Sequence, residues 1–156
     1  MKLRPLALYG FLAASLTLFA TASLRLLAAD NEITVYKTPT CGCCGKWVDH
    51  LKANGFKVTV HDVESTDEYS KRHGVPDGAR SCHIGVVEGY AVEGHVPAAD
   101  VQRLLKERPK AKGLAVPGMP LNSPGMEVPG GGVGRYNVVL IGEDGKTSVY
   151  QQYPRN

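Results

Sequence analysis

The sequence predicts an α/β domain, and three observations predict it. A short β-branched and aromatic run, Ile33-Thr34-Val35-Tyr36, gives way within ten residues to a run with helical spacing. Strand-like and helix-like runs then alternate as far as Pro109. The 18 glycines and 10 prolines of this 156-residue chain gather after residue 112, so its last third reads as rich in loops. A chain of this length has room for one domain with a modest core.

Taken in order, residues 33–36 form the first strand and residues 46–55 the first helix, with Trp47, Val48 and Leu51 on one face and Gly55 as its stop. Residues 56–63 alternate apolar and polar side chains as a second strand, which completes a strand-helix-strand unit. Ser65-Thr66-Asp67-Glu68 supplies an N-cap and early acids for a short helix over 66–73, ended by Gly74. Val75-Pro76-Asp77-Gly78 is a turn. Residues 81–87 and 90–96 read as two strands of a hairpin turning at Glu88-Gly89. Pro97 opens a helix over 97–108 whose Val101, Leu104 and Leu105 share a face, and Pro109 closes it.

Strand-helix-strand, short helix, hairpin, helix is the order of a thioredoxin-like domain. Beyond it, residues 110–134 are too rich in Pro and Gly to be regular, and a loop of that length inside a compact domain usually has a function. This loop carries Gly118-Met119-Pro120 and Ser123-Pro124-Gly125-Met126. Residues 136–141 and 146–150 make a C-terminal β-hairpin that extends or caps the sheet.

The N-terminus reads as an export signal over residues 1–22. Lys2 and Arg4 precede an apolar stretch over 6–22, and Ala20-Thr21-Ala22 matches a small-x-small cleavage site. An uncleaved membrane anchor is the alternative, since the stretch approaches the length of a spanning helix. Residues 23–31 then form a tether, residues 32–156 the single domain, and the cysteines face an oxidising, periplasmic compartment. Of the net charge of +3, two units sit on Lys2 and Arg4, so no basic face for nucleic acid is implied.

Three of the four cysteines fall in Thr40-Cys41-Gly42-Cys43-Cys44-Gly45, between the first strand and the first helix. Backbone N–H groups and the positive end of the helix dipole would favour thiolates there. Cys41 and Cys44 stand in C-x-x-C spacing, which suits either a disulfide or a metal. A bond between the neighbours Cys43 and Cys44 would be strained, so Cys43 needs another partner. Cys82 opens the strand expected beside the turn and is the one sulfur able to complete a four-thiolate site. Two plain disulfides, Cys41 to Cys44 and Cys43 to Cys82, are the bland alternative.

Soft thiolates favour Cu(I), zinc or iron-sulfur chemistry. Zinc usually takes two C-x-x-C pairs, and only one is present. Clustered sulfurs allow bridging, which is natural for more than one Cu(I), and Met119 and Met126 are candidate copper thioethers. His95 sits at a strand end suited to a metal edge. Strand alternation sends at most one of Cys82 and His83 toward the cysteine turn, and a hydrogen-bonded structural role is the plain reading of both His83 and His95. His50, His61 and His73 read as surface, Trp47 as core. Asp49, Glu88 and Glu93 show no carboxylate pairing for acid-base hydrolysis, and no phosphate loop or serine elbow is present.

Tyr36 through Cys44, Ser81-Cys82-His83, residues 92–97 and the two methionine motifs together resemble the CopG-type copper-resistance proteins, over the whole chain after the leader. The resemblance implies an exported thioredoxin-like protein that binds copper through Cys41, Cys43, Cys44 and Cys82, with His95, Met119 and Met126 as further ligands. It implies a place in copper homeostasis, with copper ions and other exported copper-handling proteins as partners, and interconversion of Cu(I) and Cu(II). A thiol-disulfide oxidoreductase using the Cys41/Cys44 pair is the competing enzyme reading. A domain merely stapled by its cysteines is the third.

Overall fold

A computed structural model of the chain describes residues 31–132 and 134–154. The expected leader and all but the last residue of the expected tether lie outside the described residues. Strands and helices follow in the order β1 (Glu32–Lys37), α1 (Gly42–Ala53), β2 (Lys57–Asp62), α2 (Asp67–Arg72), β3 (His83–Val87) and β4 (Tyr90–Gly94). The chain continues with α3 (Ala98–Glu107), β5 (Ala111–Val116), β6 (Tyr136–Gly142) and β7 (Thr147–Tyr153). Among the described residues, no helix is long and apolar enough to cross a membrane.

The seven strands form one mixed sheet in the order β2-β1-β3-β4-β5-β6-β7. β1 pairs with β2 in parallel across α1, and with β3 antiparallel, so the C-terminal end of β1 lies against the start of β3, Lys37 opposite His83. The β3–β4 hairpin turns at Glu88 and Gly89, both at positive φ, as a two-residue hairpin requires. β4 pairs with β5 in parallel across α3, and β6 and β7 extend the sheet antiparallel.

The α/β class holds, and the sheet is larger than a thioredoxin-like order predicts. Residues 111–116, expected as irregular, are a largely buried strand between β4 and β6. The reason it was unreadable is Gly113. A side chain there would collide with the backbone of Ala91, so close pairing with β4 demands the residue that otherwise signals a loop. Leu114, Ala115 and Val116 are wholly buried.

Each face of the sheet has its own core. On one, Trp47, Val48 and Leu51 of α1 and Val101, Leu104 and Leu105 of α3 pack against Ile33, Val35, Val87, Val92 and Leu114. Burial of each such side chain is worth about 1.5–3 kcal/mol. On the other, Ile84, Ala91, Ala115 and Ile141 pack with Val75, Ala79 and Tyr69 of α2. The first core matters for function because it seats Trp47 at zero exposure, with its indole N–H donating to Val96 O at 2.8 Å, and so anchors the turn of helix that carries the cysteines.

Candidate metal centre

Helix α1 starts immediately after Cys41. Cys41 occupies the N-cap position in an extended conformation, without a side-chain cap, and its N–H donates to Thr38 O at 3.2 Å to close the preceding turn. Cys43 and Cys44 therefore sit in the first turn, where backbone N–H groups have no helical acceptor. Cys44 is fully buried, whereas Cys41 and Cys43 are partly exposed.

Cys41 and Cys44 form a disulfide, and Cys43 and Cys82 are free thiols. Cys43 Sγ lies 3.5 Å from Cys41 Sγ, and Cys82 Sγ lies 3.4 Å from Cys44 Sγ. All four sulfurs fall within 4.8 Å of one another. Four thiolates at about 2.3 Å from one tetrahedral ion would stand about 3.8 Å apart, so the spacing fits a shared ion once the disulfide is reduced. Burial, and then the neighbouring Cys43 sulfur, push the Cys82 thiol up to about 11. Metal capture must therefore displace its proton.

Two histidines adjoin the sulfurs. His83 Nδ1 is 3.5 Å from Cys82 Sγ, and the His83 ring lies 4.4 Å from Trp47 and 4.9 Å from His95, centroid to centroid. Burial, reinforced by His95, pushes His83 down to about 3, and burial lowers His95 as well, so both rings are neutral near pH 7. The Nδ1 of His95 lies 2.8 Å from Pro124 O, which selects the tautomer whose Nε2 carries a lone pair. The Nε2 atoms of both rings are buried without a hydrogen-bond partner among the described residues. With Cys82 they form a second group of three donors within 4.8 Å. Orphaned imidazole nitrogens beside thiols are a donor set for a metal of borderline softness.

Cys82 and His83 thus both reach the site, contrary to the alternation argument. β3 begins at His83, and Cys82 lies one residue before the pleat that alternation assumes. His83, expected in a structural role, is thereby brought with His95 into reach of the Cys82 sulfur.

The loop after β5 crosses the cysteine turn. Gly125, at φ +88°, packs so closely that a Cβ would stand 2.8 Å from both Cys43 O and Trp47 N. Ser123 is buried with its hydroxyl on Pro120 O, and the Asn122 side chain bonds Val128 N–H and Gly131 O. Met126, next to Gly125, is half-buried, while Met119 is exposed. Of the histidines expected at the surface, His61 is exposed and stacks on Tyr36, and His73 is half-buried. His50 departs from expectation: its Nε2 accepts the Ala98 N–H at 3.0 Å and so caps α3.

Two solved structures match the chain closely. One, described as copper resistance protein CopG, form 1, is 48% identical, with a TM-score of 0.73, over 80% of this chain and 98% of its own. The other, described as form 2 of the same protein, is 49% identical, with a TM-score of 0.74, over 79% of this chain and 98% of its own. The chain belongs to the CopG copper-resistance family. A family model described as a protein of unknown function, DUF411, also matches residues 79–126, which begin just before Cys82 and end at Met126. No curated protein matches. Among the described residues of this CopG-family chain, the groups able to hold metal are the four-cysteine cluster and the Cys82–His83–His95 trio that shares one of its sulfurs.

Proposed function

We propose that this CopG-family protein is an exported, periplasmic copper-binding protein that holds Cu(I) on Cys41, Cys43, Cys44 and Cys82 and interconverts Cu(I) and Cu(II). In that step two Cu(II) ions take two electrons from the Cys41/Cys44 dithiol as it closes to the disulfide and loses two protons, and the reverse. The observation that carries this reading is the approach of all four sulfurs to within 4.8 Å, across a helix start and the residue that precedes a separate strand. Reduction of the Cys41–Cys44 disulfide by two electrons makes four thiols available, and their soft, bridging sulfurs favour Cu(I), singly or as a multinuclear cluster. The neutral imidazoles of His83 and His95 offer nitrogen at one edge, where Cu(II) is better held, with Cys82 common to both groups. Met119 and Met126 supply thioethers from the loop. In this reading β1 to β4 with α1 and α3 are a thioredoxin-like core, β5 to β7 an addition to it, and residues 1–22 the export signal.

The second reading, thiol-disulfide oxidoreductase, is favoured by the disulfide at a helix N-terminus. Its internal relay is disfavoured by geometry. In-line attack by Cys82 on Cys44, expelling Cys41, would set the outer sulfurs about 5.4 Å apart, the 3.4 Å approach plus a bond of about 2.0 Å, yet they lie within 4.8 Å. The mutual approach of all four sulfurs supports the ligand reading instead.

Anaerobic titration of the reduced chain with Cu(I) tests the function. More than one copper per chain is expected, with fewer in Cys82→Ser. Uptake of a single zinc in preference to copper would overturn the reading. Reduction of insulin that disappears in Cys41→Ser would favour the oxidoreductase.

A further inference from the structure

We propose that Glu93 is a positioning residue for the metal centre: its buried side chain clamps the backbone of Ser81 and thereby holds the Cys82 sulfur against Cys44. The inference rests on the sulfur site proposed above, but its test needs no metal.

Glu93 lies on β4 opposite Ile84 and has no exposed surface. A carboxyl removed from water in this way is retained only if its oxygens are bonded. Oε1 accepts the Ser81 N–H at 2.6 Å, and Oε2 accepts the Ser70 hydroxyl at 2.9 Å. Ser70 belongs to α2, so one side chain ties α2, β4 and the residue preceding Cys82. Gly94 holds Ser81 from a second side, because a Cβ on Gly94 would stand 2.9 Å from both Cβ and Oγ of Ser81.

The clamp is placed where the sheet stops. The ladder between β1 and β3 begins at the Lys37–His83 pair, one residue after Cys82. The Glu93 bond to Ser81 takes over at that point, and Cys82 Sγ comes to 3.4 Å from Cys44 Sγ. Charge is not required for this. A carboxyl oxygen accepts the Ser81 N–H in either protonation state, and the Ser70 hydroxyl can donate to the other oxygen or accept from it.

The test uses the full chain, stripped of metal and with the Cys41–Cys44 disulfide formed, in which Cys43 and Cys82 are the free thiols. Alkylation of each by iodoacetamide is followed by peptide mass spectrometry. Glu93→Ala should raise the Cys82 rate relative to Cys43 about tenfold, as loss of a buried hydrogen bond allows. Glu93→Gln should keep the wild-type ratio, because its amide oxygen accepts the Ser81 N–H and its amide N–H groups can donate to Ser70. A folded Glu93→Ala chain with the wild-type ratio would overturn the proposal. So would a Glu93→Gln chain shifted as far as Glu93→Ala. Should Glu93→Ala fail to fold, Ser70→Ala, which removes one anchor, should raise the ratio about twofold, and an unchanged ratio overturns the clamp. A wild-type chain that takes up no Cu(I) would defeat the copper reading and leave this measurement intact.

Discussion

The Cα of Gly125 rests against the first turn of α1 so tightly that a single methyl on it would stand 2.8 Å from the carbonyl oxygen of Cys43. The loop after β5 is thereby seated on the backbone that carries the sulfurs, and the His95–Pro124 hydrogen bond fixes it from the neighbouring strand end. Loop and cysteine turn are packed against one another.

Gly125→Ala is expected to separate them. The substitution forces a side chain into a left-handed conformation and into contact with Cys43 O and Trp47 N, a cost of about 2 kcal/mol. Urea denaturation should report that loss, and alkylation of Cys43 should quicken as the loop lifts.

Reduction should govern metal uptake. The chain with its disulfide formed has two free thiols and the reduced chain four, so thiol titration should double on reduction. Cu(I) bound per chain, measured by competition with a chromophoric chelator, should rise with it. Protons should be released on uptake, because Cys82 is a thiol and not a thiolate near pH 7. Equal uptake by the oxidised and reduced chains would contradict this.

Trp47, the only tryptophan, lies 4.4 Å from the ring of His83 and provides a built-in reporter. Cu(II) held at His83 and His95 should quench its fluorescence. His83→Phe should abolish most of that quenching while leaving uptake of Cu(I) by the sulfurs largely intact.

Stability should respond to pH with a sign that changes along the scale. Burial pushes His83 down to about 3, so the unfolded chain takes up a proton below 6.5 that the folded chain refuses, and stability falls as pH drops through that window. His95, lowered by burial, acts in the same direction. Burial pushes Glu93 up to about 7, so the folded chain keeps a proton that the unfolded chain loses above 4.5, and this contribution falls as pH rises from 4.5 to 7. His83 and Glu93 oppose one another between 4.5 and 6.5. Below about 4.5 the Glu93 contribution no longer opposes that of His83, and the loss from His83 should steepen to about 1.4 kcal/mol per pH unit. In Glu93→Gln the acid loss should begin near 6.5. Urea melts of the metal-free protein between pH 3.5 and 8 would check both curves.

Much of this architecture could be read along the chain. Apolar spacing located α1 and α3, β-branched runs located β1 and β2, and Glu88-Gly89 located the hairpin turn, because each signal lies within a few residues. β5 escaped because Gly113 answers to Ala91, a neighbour more than twenty residues away. Likewise, Cys82 could be proposed as the fourth sulfur from the order of elements, whereas the approach of His83 to that sulfur could not be foreseen, since the alternation rule holds only inside the strand that begins at His83 itself.

By itself the sequence determined the chemistry on offer: four soft sulfurs, three of them at one turn, histidines near the fourth, and a methionine-bearing loop rich in Gly and Pro. Local covalent spacing dictates those features. Only the tertiary structure decided which donors meet, with Cys82 against Cys44, His83 and His95 with orphaned nitrogens beside them, and Glu93 behind Ser81. Those meetings depend on strand pairing and on burial, which bring together groups that lie tens of residues apart and strip them of water.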